Sequence, residues 1–463
     1  MNERGYLLTL IHRPTVMSVH VFDPKGQSVC QVQRSLDRDS ETVGDYHLQA
    51  DAALSSAITL MESGLRRASI TAYEVCGIGF SVSCHTLVLW NGVSGTPLLT
   101  VDTPSNWPQL GGAEAAAFLR VATSAAMAEA GAPTQVRDLR LGGMDSWLLW
   151  SLTQSEWSLV EQGHDLTLYA YGETGMADAE FAAKCGLTAG CFPLLSSPAK
   201  LPRISSIYLD AARPPICALT YTQTAALVGA RLETAGAAFI TYDREGAVAI
   251  SVPDRSKSRL VASAALGYRP LLTLDRGVFA VALVGRFTSP QRVAAWLDTY
   301  FGSRIELTEV AGSLAEPGPL ILPVHSGWPG QASIIGLDSD TSPAALYASA
   351  LRAVAFTVAQ IVEQAEQVTG VRVDALYTDE LAYGIPALFS FQAGLCKSPL
   401  YARTGDSSAL GAAALAGIHA GLWSRERAES LLDEQYTSRR YDIPLLDENV
   451  WEQFQLWKQA IGS

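Results

Sequence analysis

The stretch at residues 218–229, ALTYTQTAALVG, lies near the middle of a 463-residue chain. An apolar run, Ile216 to Leu219, enters it, and small helix formers, Ala225 to Leu227, leave it. That succession predicts a strand turning directly into a helix, a place where an enzyme keeps reactive groups. The turn holds Thr220, Tyr221, Thr222, Gln223 and Thr224, with neither an acid nor a glycine. Either its chemistry has been lost or it never had any.

Strands and helices alternate on both sides of it. YLLTLI and MSVHVFD read as strands, and the second enters a DPKG turn before QSVCQV, so Pro24 and Gly26 mark a hairpin. ADAALSSAITLMESGL spaces Leu54, Ile58, Met61 and Leu65 along one helical face. Strands are predicted at VCGIGFSV and TLVLW, then a turn at NGVSG and an Ala-rich helix from Ala113 to Ala130. After the central stretch the plan repeats. AAFITY and AVAISV flank a turn at Asp243 to Gly246, and PLLTL, VFAVALVG and the helix PQRVAAWLDTYF follow. GPLILPV, a helix from Pro343 to Val368, RVDALYT, a helix near Ala387 and SSALGAAALAGIHAGLW complete it. Alternation argues for an α/β fold. The repeat divides it near Ala230 to Ala235, into domains 1–232 and 233–463, with no low-complexity linker between them.

Composition suits a globular chain with a sizeable core, 48% hydrophobic and 17% charged. A net charge of −13 argues against nucleic acid or an anionic membrane as a partner. Glu3 and Arg4 precede a short apolar run with no cleavage region after it, so no secretory signal is read. ALYASALRAVAFTVAQIV is interrupted by Arg352 and reads as a core helix. The seven cysteines are odd in number and lack C-x-x-C, which points to free thiols and a cytoplasmic location. The seven histidines show no metal-ligand spacing, so no metal site is read.

The order of motifs resembles the FGGY carbohydrate kinases, the glycerol kinase and xylulokinase group, over nearly the whole chain. CGIGFSVSCHTLVLWNGVSGTPLL resembles the family's early sugar-contact strand and its W-D-x-x-T-G-x-P turn. GGMDSWLLWSLT is similar to I-D-S-Y-L-x-W-x-L-T-G. SIIGLDSDTSPAALYASALRAVAF is similar to the C-terminal signature, with Leu346 and Tyr347 departing from it, and SSALGAAALAGIHAGLW matches T-A-L-G-A-A-x-L-A-x-x-A-x-G. The resemblance implies two ribonuclease H-like domains of the actin and hexokinase type around a central cleft. Sugar and ATP would meet there, with Mg²⁺ if the chain is active.

Laid on the family's motifs, the chemistry positions depart together. The base aspartate of the G-D-Q/N turn falls on Thr222, and its glycine on Tyr221. A neutral threonine cannot be the general base, a role worth roughly 10²–10⁴-fold. The first phosphate loop, D-x-G-T-T/S, falls on IHRPT: Ile11 replaces the metal-associated acid, Arg13 the glycine, and Pro14 offers no N–H before Thr15. The second phosphate turn falls on Asp243, Arg244 and Glu245, and the adenosine segment on Asp379 and Glu380, which would crowd an adenine face. Arg13 and Arg244 carry guanidinium groups that could still meet phosphate. On the sugar side the resemblance puts Cys84 and His85 at sugar contacts, leaves Asp102 one position off, and keeps the amide of Gln223. His85 can equally be a satisfied polar residue at a strand end, and Trp107 either a stacking platform or packing.

Three readings follow. One is an active kinase with unusual motifs, using Asp243 or Asp102 as base. Another is a pseudokinase that binds a sugar or polyol, acting alone, as a homodimer or beside an active kinase. The third is a different actin-like ATPase, which the missing phosphate loops also disfavour.

Overall fold

The computed structural model describes residues 5–13, 16–36, 46–104, 107, 110–129, 135–154, 157–161, 164–171, 175–196, 201–232, 236–242, 245–252, 266–272, 279–301, 305–323, 332–379, 385–435 and 437–462. Strands β1 (Tyr6–His12), β2 (Val16–Phe22) and β3 (Ser28–Ser35) form an antiparallel meander. Its first turn beyond β2 is set by Asp23, whose carboxylate accepts the Lys25 and Gln27 N–H groups, and by Gly26 at φ +82°, a conformation that favours glycine. Helix α1 (Tyr46–Ala68) covers one face and leads to β4 (Val75–Val82), which pairs parallel with β1. Next come β5 (Thr86–Asn91), β6 (Pro97–Asp102), α2 (Gly112–Glu129), β7 (Leu139–Gly143) and α3 (Met144–Leu152). The β6–β5–β7 ribbon is antiparallel, and β6 follows the NGVSG turn in a stretch to which the sequence pattern assigns no element. Short pieces follow: β8 (Leu159–Val160), α4 (Thr167–Ala170), α5 (Ala179–Lys184) and β9 (Leu194–Leu195). Then β10 (Ile216–Tyr221) pairs parallel with β4 and runs straight into α6 (Thr222–Gly229). The first large sheet is thus ordered β3-β2-β1-β4-β10.

The second half repeats that order. Strands β11 (Ala237–Thr241), β12 (Glu245–Val252), β13 (Leu266–Leu272) and β14 (Phe279–Thr288) pair antiparallel, with β14 between β12 and β13. Helices α7 (Pro290–Phe301) and α8 (Leu307–Val310) and the hairpin β15 (Leu320–Pro323) and β16 (Ala332–Ile335) precede α9 (Pro343–Thr369). Ser342 caps α9 by accepting the Ala345 N–H, Pro343 starts it, and Gly370 at φ +66° ends it. Among the described residues α9 is the one helix long and apolar enough to cross a membrane, yet most of it is buried in the core. Its Arg352 is buried too, donating to the Leu314 carbonyl and the Gln453 amide. After it come β17 (Ala375–Asp379), α10 (Pro386–Cys396), β18 (Leu400–Arg403), α11 (Ser407–His419), α12 (Arg425–Glu434), β19 (Ser438–Tyr441) and α13 (Glu448–Gly462). β17 is parallel to β11 and β18 to β17, so β14-β12-β11-β17-β18 mirrors the first sheet strand for strand.

The two sheets meet through α6 and α11. These helices share an apolar layer with Leu7, Ile11 and Phe22 from the first sheet and Phe239, Ala247 and Val284 from the second. Small residues let the helix backbones touch. A Cβ added at Gly229 would lie 1.9 Å from the Ser407 carbonyl oxygen, and one at Gly411 would lie 1.9 Å from that of Ala225. The alanine and glycine content of both stretches is therefore a packing requirement, since backbone cannot yield as a flexible side chain does.

Candidate functional site

Two polar clusters sit at the N-termini of these helices. The first gathers around the start of α6. Thr222 Oγ1 donates to Gln223 Oε1 at 3.1 Å, and the Gln223 amide nitrogen lies 3.5 Å from His85 Nε2. Cys84 Sγ is 3.2 Å from His85 Nδ1 and 3.8 Å from Gln223 Oε1. Cys84 and His85 lie between β4 and β5, and the loop before α4 folds back on them through the Asp165 N–H to the Cys84 carbonyl. This brings Asp165 Oδ2 to 3.5 Å from His85 Nδ1. Thr103 Oγ1 donates to the same carboxylate oxygen, and Trp107 Nε1 donates to the Asp165 carbonyl at 2.8 Å. Trp107 is fully buried, edge-on to Phe118 and Tyr169, so it packs and offers no ring face.

Arg286, from β14 of the other sheet, reaches across. Its guanidinium donates to the Thr103 and Pro104 carbonyls and lies 3.8 Å from Asp165 Oδ2. Burial and Arg286 both oppose charge on His85. Cys84 and the Asp165 carboxylate outweigh them, and the imidazole is pushed up to about 9. Asp102 stands beside this cluster, paired across from Thr86 and accepting the Thr86 hydroxyl at 2.8 Å.

Behind Thr222, Tyr221 is extended (φ −103°), so no glycine is needed there, and its hydroxyl donates to Asp145 Oδ2 at 3.0 Å. Asp145 also accepts the Ser146 and Glu161 N–H groups. Burial drives the Tyr221 phenol well above its ordinary value, with Asp145 adding to the effect.

The second cluster surrounds the start of α11. Arg13 donates to Asp406 Oδ1 at 2.7 Å and to Ser408 Oγ at 2.6 Å. Asp406 caps the helix by accepting the Ala409 N–H at 3.0 Å. His20 lies 3.8 Å from its other oxygen. Asp379, at the end of β17, accepts the Ser407 N–H at 2.9 Å and the Ser407 hydroxyl at 2.6 Å. Arg403 donates to Ser407 and to the Gly229 carbonyl at the end of α6.

The two acids are driven apart. Burial and the Asp406 charge push Asp379 up to about 6. Burial would raise Asp406 as well, but Arg13, then His20, hold it well below the usual carboxylate range. Ile11, where the resemblance implies a metal-associated acid, is fully buried in the apolar layer. The described residues at this end therefore do not fit a magnesium-bound nucleotide: the acid that would hold Mg²⁺ is absent, and two carboxylates occupy the helix start. Thr15, Asp243, Arg244 and Glu380 lie outside the described residues, as do Pro14 and the side chain of Glu245.

Cys84, His85, Thr222 and Gln223 thus come together, Asp102 lies alongside, and Arg13 and Asp379 meet in the second cluster. Sequence reasoning missed Asp165, Arg286 and Asp406, and gave Asp145 no role although it falls on the aspartate of the I-D-S motif. Asp406 also carried a signal, as an aspartate directly before a Ser-Ser helix start.

A model of the FGGY family of carbohydrate kinases, C-terminal domain, matches residues 330–420. Full-length similarity agrees: the chain is 23% identical to a glycerol kinase of Xanthomonas campestris, covering 100% of this chain and 98% of that one. It is 26% identical to a glycerol kinase of Acidiphilium cryptum, over 95% of each. Both likenesses point to the FGGY family of carbohydrate kinases. Solved structures agree in fold. The Plasmodium falciparum glycerol kinase with ADP matches at TM-score 0.75 and 16% identity, covering 99% of this chain and 98% of that one. A xylulose kinase from Rhodospirillum rubrum matches at 0.73 and 13% identity, with the same coverage. The two mirrored sheets are the two ribonuclease H-like units of the FGGY fold.

Proposed function

We propose that this FGGY-family protein has impaired or lost phosphotransfer and serves as a cytoplasmic sugar- or polyol-binding or regulatory protein, as a homodimer or beside an active kinase. One observation carries the reading. The start of α6 offers only the Thr222 hydroxyl and the Gln223 amide where a base is needed, and the hydroxyl donates to that amide. The carboxylates of the same cluster are engaged: Asp145 with Tyr221, Ser146 and Glu161, and Asp165 with Thr103 and His85. In this reading residues 1–232 form the sugar side, with Cys84, His85, Asp102 and Gln223 toward the ligand. Residues 233–463 form the nucleotide side, and the ATP positions, Arg13 and Thr15 of the first half with Asp243, Arg244, Asp379 and Glu380 of the second, are degenerate. Arg13, which would have to meet a phosphate, is paired with Asp406 and Ser408.

Calorimetric titration with Mg-ATP tests this. Binding weaker than millimolar is expected, because helix N-termini that hold phosphate need unengaged N–H groups and no competing carboxylate. A micromolar dissociation constant would instead support the other reading, an active kinase whose arginines replace the phosphate loops and whose base is Asp102 or Asp243.

A further inference from the structure

We propose that Cys84, His85 and Asp165 bind a divalent transition-metal ion of the zinc type, a role separate from phosphotransfer. The three side chains supply a thiolate, an imidazole nitrogen and a carboxylate oxygen, and their ligand atoms all lie within 4.8 Å of one another. Zinc at its usual bond lengths, about 2.3 Å to sulfur and 2.0–2.2 Å to nitrogen or oxygen, places tetrahedral ligands about 3.4–3.6 Å apart. Here Sγ and Nδ1 are 3.2 Å apart, and Nδ1 and Oδ2 are 3.5 Å apart. Gln223 Oε1, 3.8 Å from Sγ, brings a neutral oxygen for the fourth position.

The surroundings support the ligands as metal sites require. Thr103 donates to the Asp165 carboxylate, Trp107 fixes its backbone, and the Gln223 amide faces the remaining ring nitrogen of His85. Cys84, His85 and Asp165 are 2%, 1% and 0% exposed, so an ion held among them is shielded from bulk water. Sulfur and nitrogen donors favour zinc, cobalt or copper over the oxygen-seeking Mg²⁺ of kinases. Two anionic ligands neutralise a dication once the Cys84 thiol proton and the extra proton on the His85 imidazole leave to solvent. The opposing charge is Arg286, 3.8 Å from Asp165, which would have to share that carboxylate with the ion.

The experiment uses the full chain, stripped with EDTA and titrated with Co²⁺, then Zn²⁺. We expect one cobalt per chain, a thiolate-to-cobalt charge-transfer band, its loss on adding Zn²⁺, and no effect of millimolar Mg²⁺. Cys84→Ser should abolish the band. Should that variant not fold, His85→Gln must still lower the affinity at least tenfold. Thr103→Val should weaken binding by about 10–100-fold, the range for outer-shell losses. Arg286→Gln should tighten it, because the competing charge is gone while donors remain. No charge-transfer band, or one that persists unchanged in Cys84→Ser, overturns the proposal.

Discussion

Helices α6 and α11 occupy equivalent places in the two mirrored sheets, and they begin in opposite ways. Each follows the outer parallel strand of its core, β10 or β18, and each is rich in small residues that let it touch the other. Helix α6 opens with neutral groups: the Thr222 hydroxyl, the Gln223 amide, and a Thr224 hydroxyl that accepts the Tyr221 N–H at 3.3 Å. Helix α11 opens with two carboxylates, Asp406 on the Ala409 N–H and Asp379 on the Ser407 N–H. A helix start carries partial positive charge and welcomes an anion. Phosphotransfer asks for a carboxylate base on the sugar side and an open anion site on the phosphate side. In the reading proposed above, this chain carries the reverse arrangement. The fold's geometry persists because backbone contacts such as those at Gly229 and Gly411 set it, whereas the charge at each helix start depends on one or two side chains.

The largest effect should come from removing that charge. In Asp406→Ala the Arg13 guanidinium loses its carboxylate and α11 loses its cap. Breaking a buried pair costs about 3–5 kcal/mol. Arg13 and Asp406 side chains are 18% and 10% exposed, which places the loss at the low end of that range. Thr222→Ala, at the matching start of α6, removes one neutral hydrogen bond and should cost about 1 kcal/mol. Urea denaturation of both variants measures the contrast, and equal losses would mean that the two helix starts are energetically alike.

A pH profile sharpens the same contrast within the α11 cluster. Asp379, pushed up to about 6, is protonated more readily folded than unfolded. Its stability contribution is therefore full below the unfolded value of about 3.9 and is lost as pH rises through the folded value. Asp406, held low, has the opposite sign: its contribution is present above the usual carboxylate range and is lost as pH falls through its lowered value. Asp379→Asn should gain on the wild type as pH rises from about 4 to about 6 and stay level above that. Denaturation midpoints across this window report it, and a constant offset between the two proteins would show that Asp379 does not titrate there.

What the sequence reveals follows from how local each signal is. Strands such as VCGIGFSV and the helix PQRVAAWLDTYF were readable because periodicity and breakers act within a dozen residues, and the structure places them at Val75–Val82 and Pro290–Phe301. Strand β6 was not, because it forms only by pairing with β5. Asp165 was invisible for the same kind of reason. It reaches His85, far away in sequence, only because the loop before α4 folds back on the end of β4, and no spacing rule encodes that return. Asp379 was recognised as a carboxylate out of place, but its bonds to Ser407 depend on where α11 begins.

The smallest expected effect is also the most discriminating. Thr222→Asp restores to α6 the carboxylate that the family's motif would put there. If a missing base were the sole defect, a sugar-dependent rate should rise by roughly 10²–10⁴-fold. We expect no detectable sugar phosphorylation. A base acts on a hydroxyl already aligned with a held phosphoryl group, and positioning supplies much of the barrier reduction. Nothing in the substitution alters the other helix start, where Arg13 remains paired with Asp406 and Ile11 remains buried in the apolar layer. Position 222 is itself 7% exposed, so the new carboxylate would be largely desolvated beside Gln223, which favours its neutral form. Coupled ADP release with a panel of pentoses, hexoses and polyols compares the variant with wild type. A rate that appears only with Asp at 222 and only with sugar would mean that the phosphate side still works, and that the contrast between the two helices is confined to the missing base.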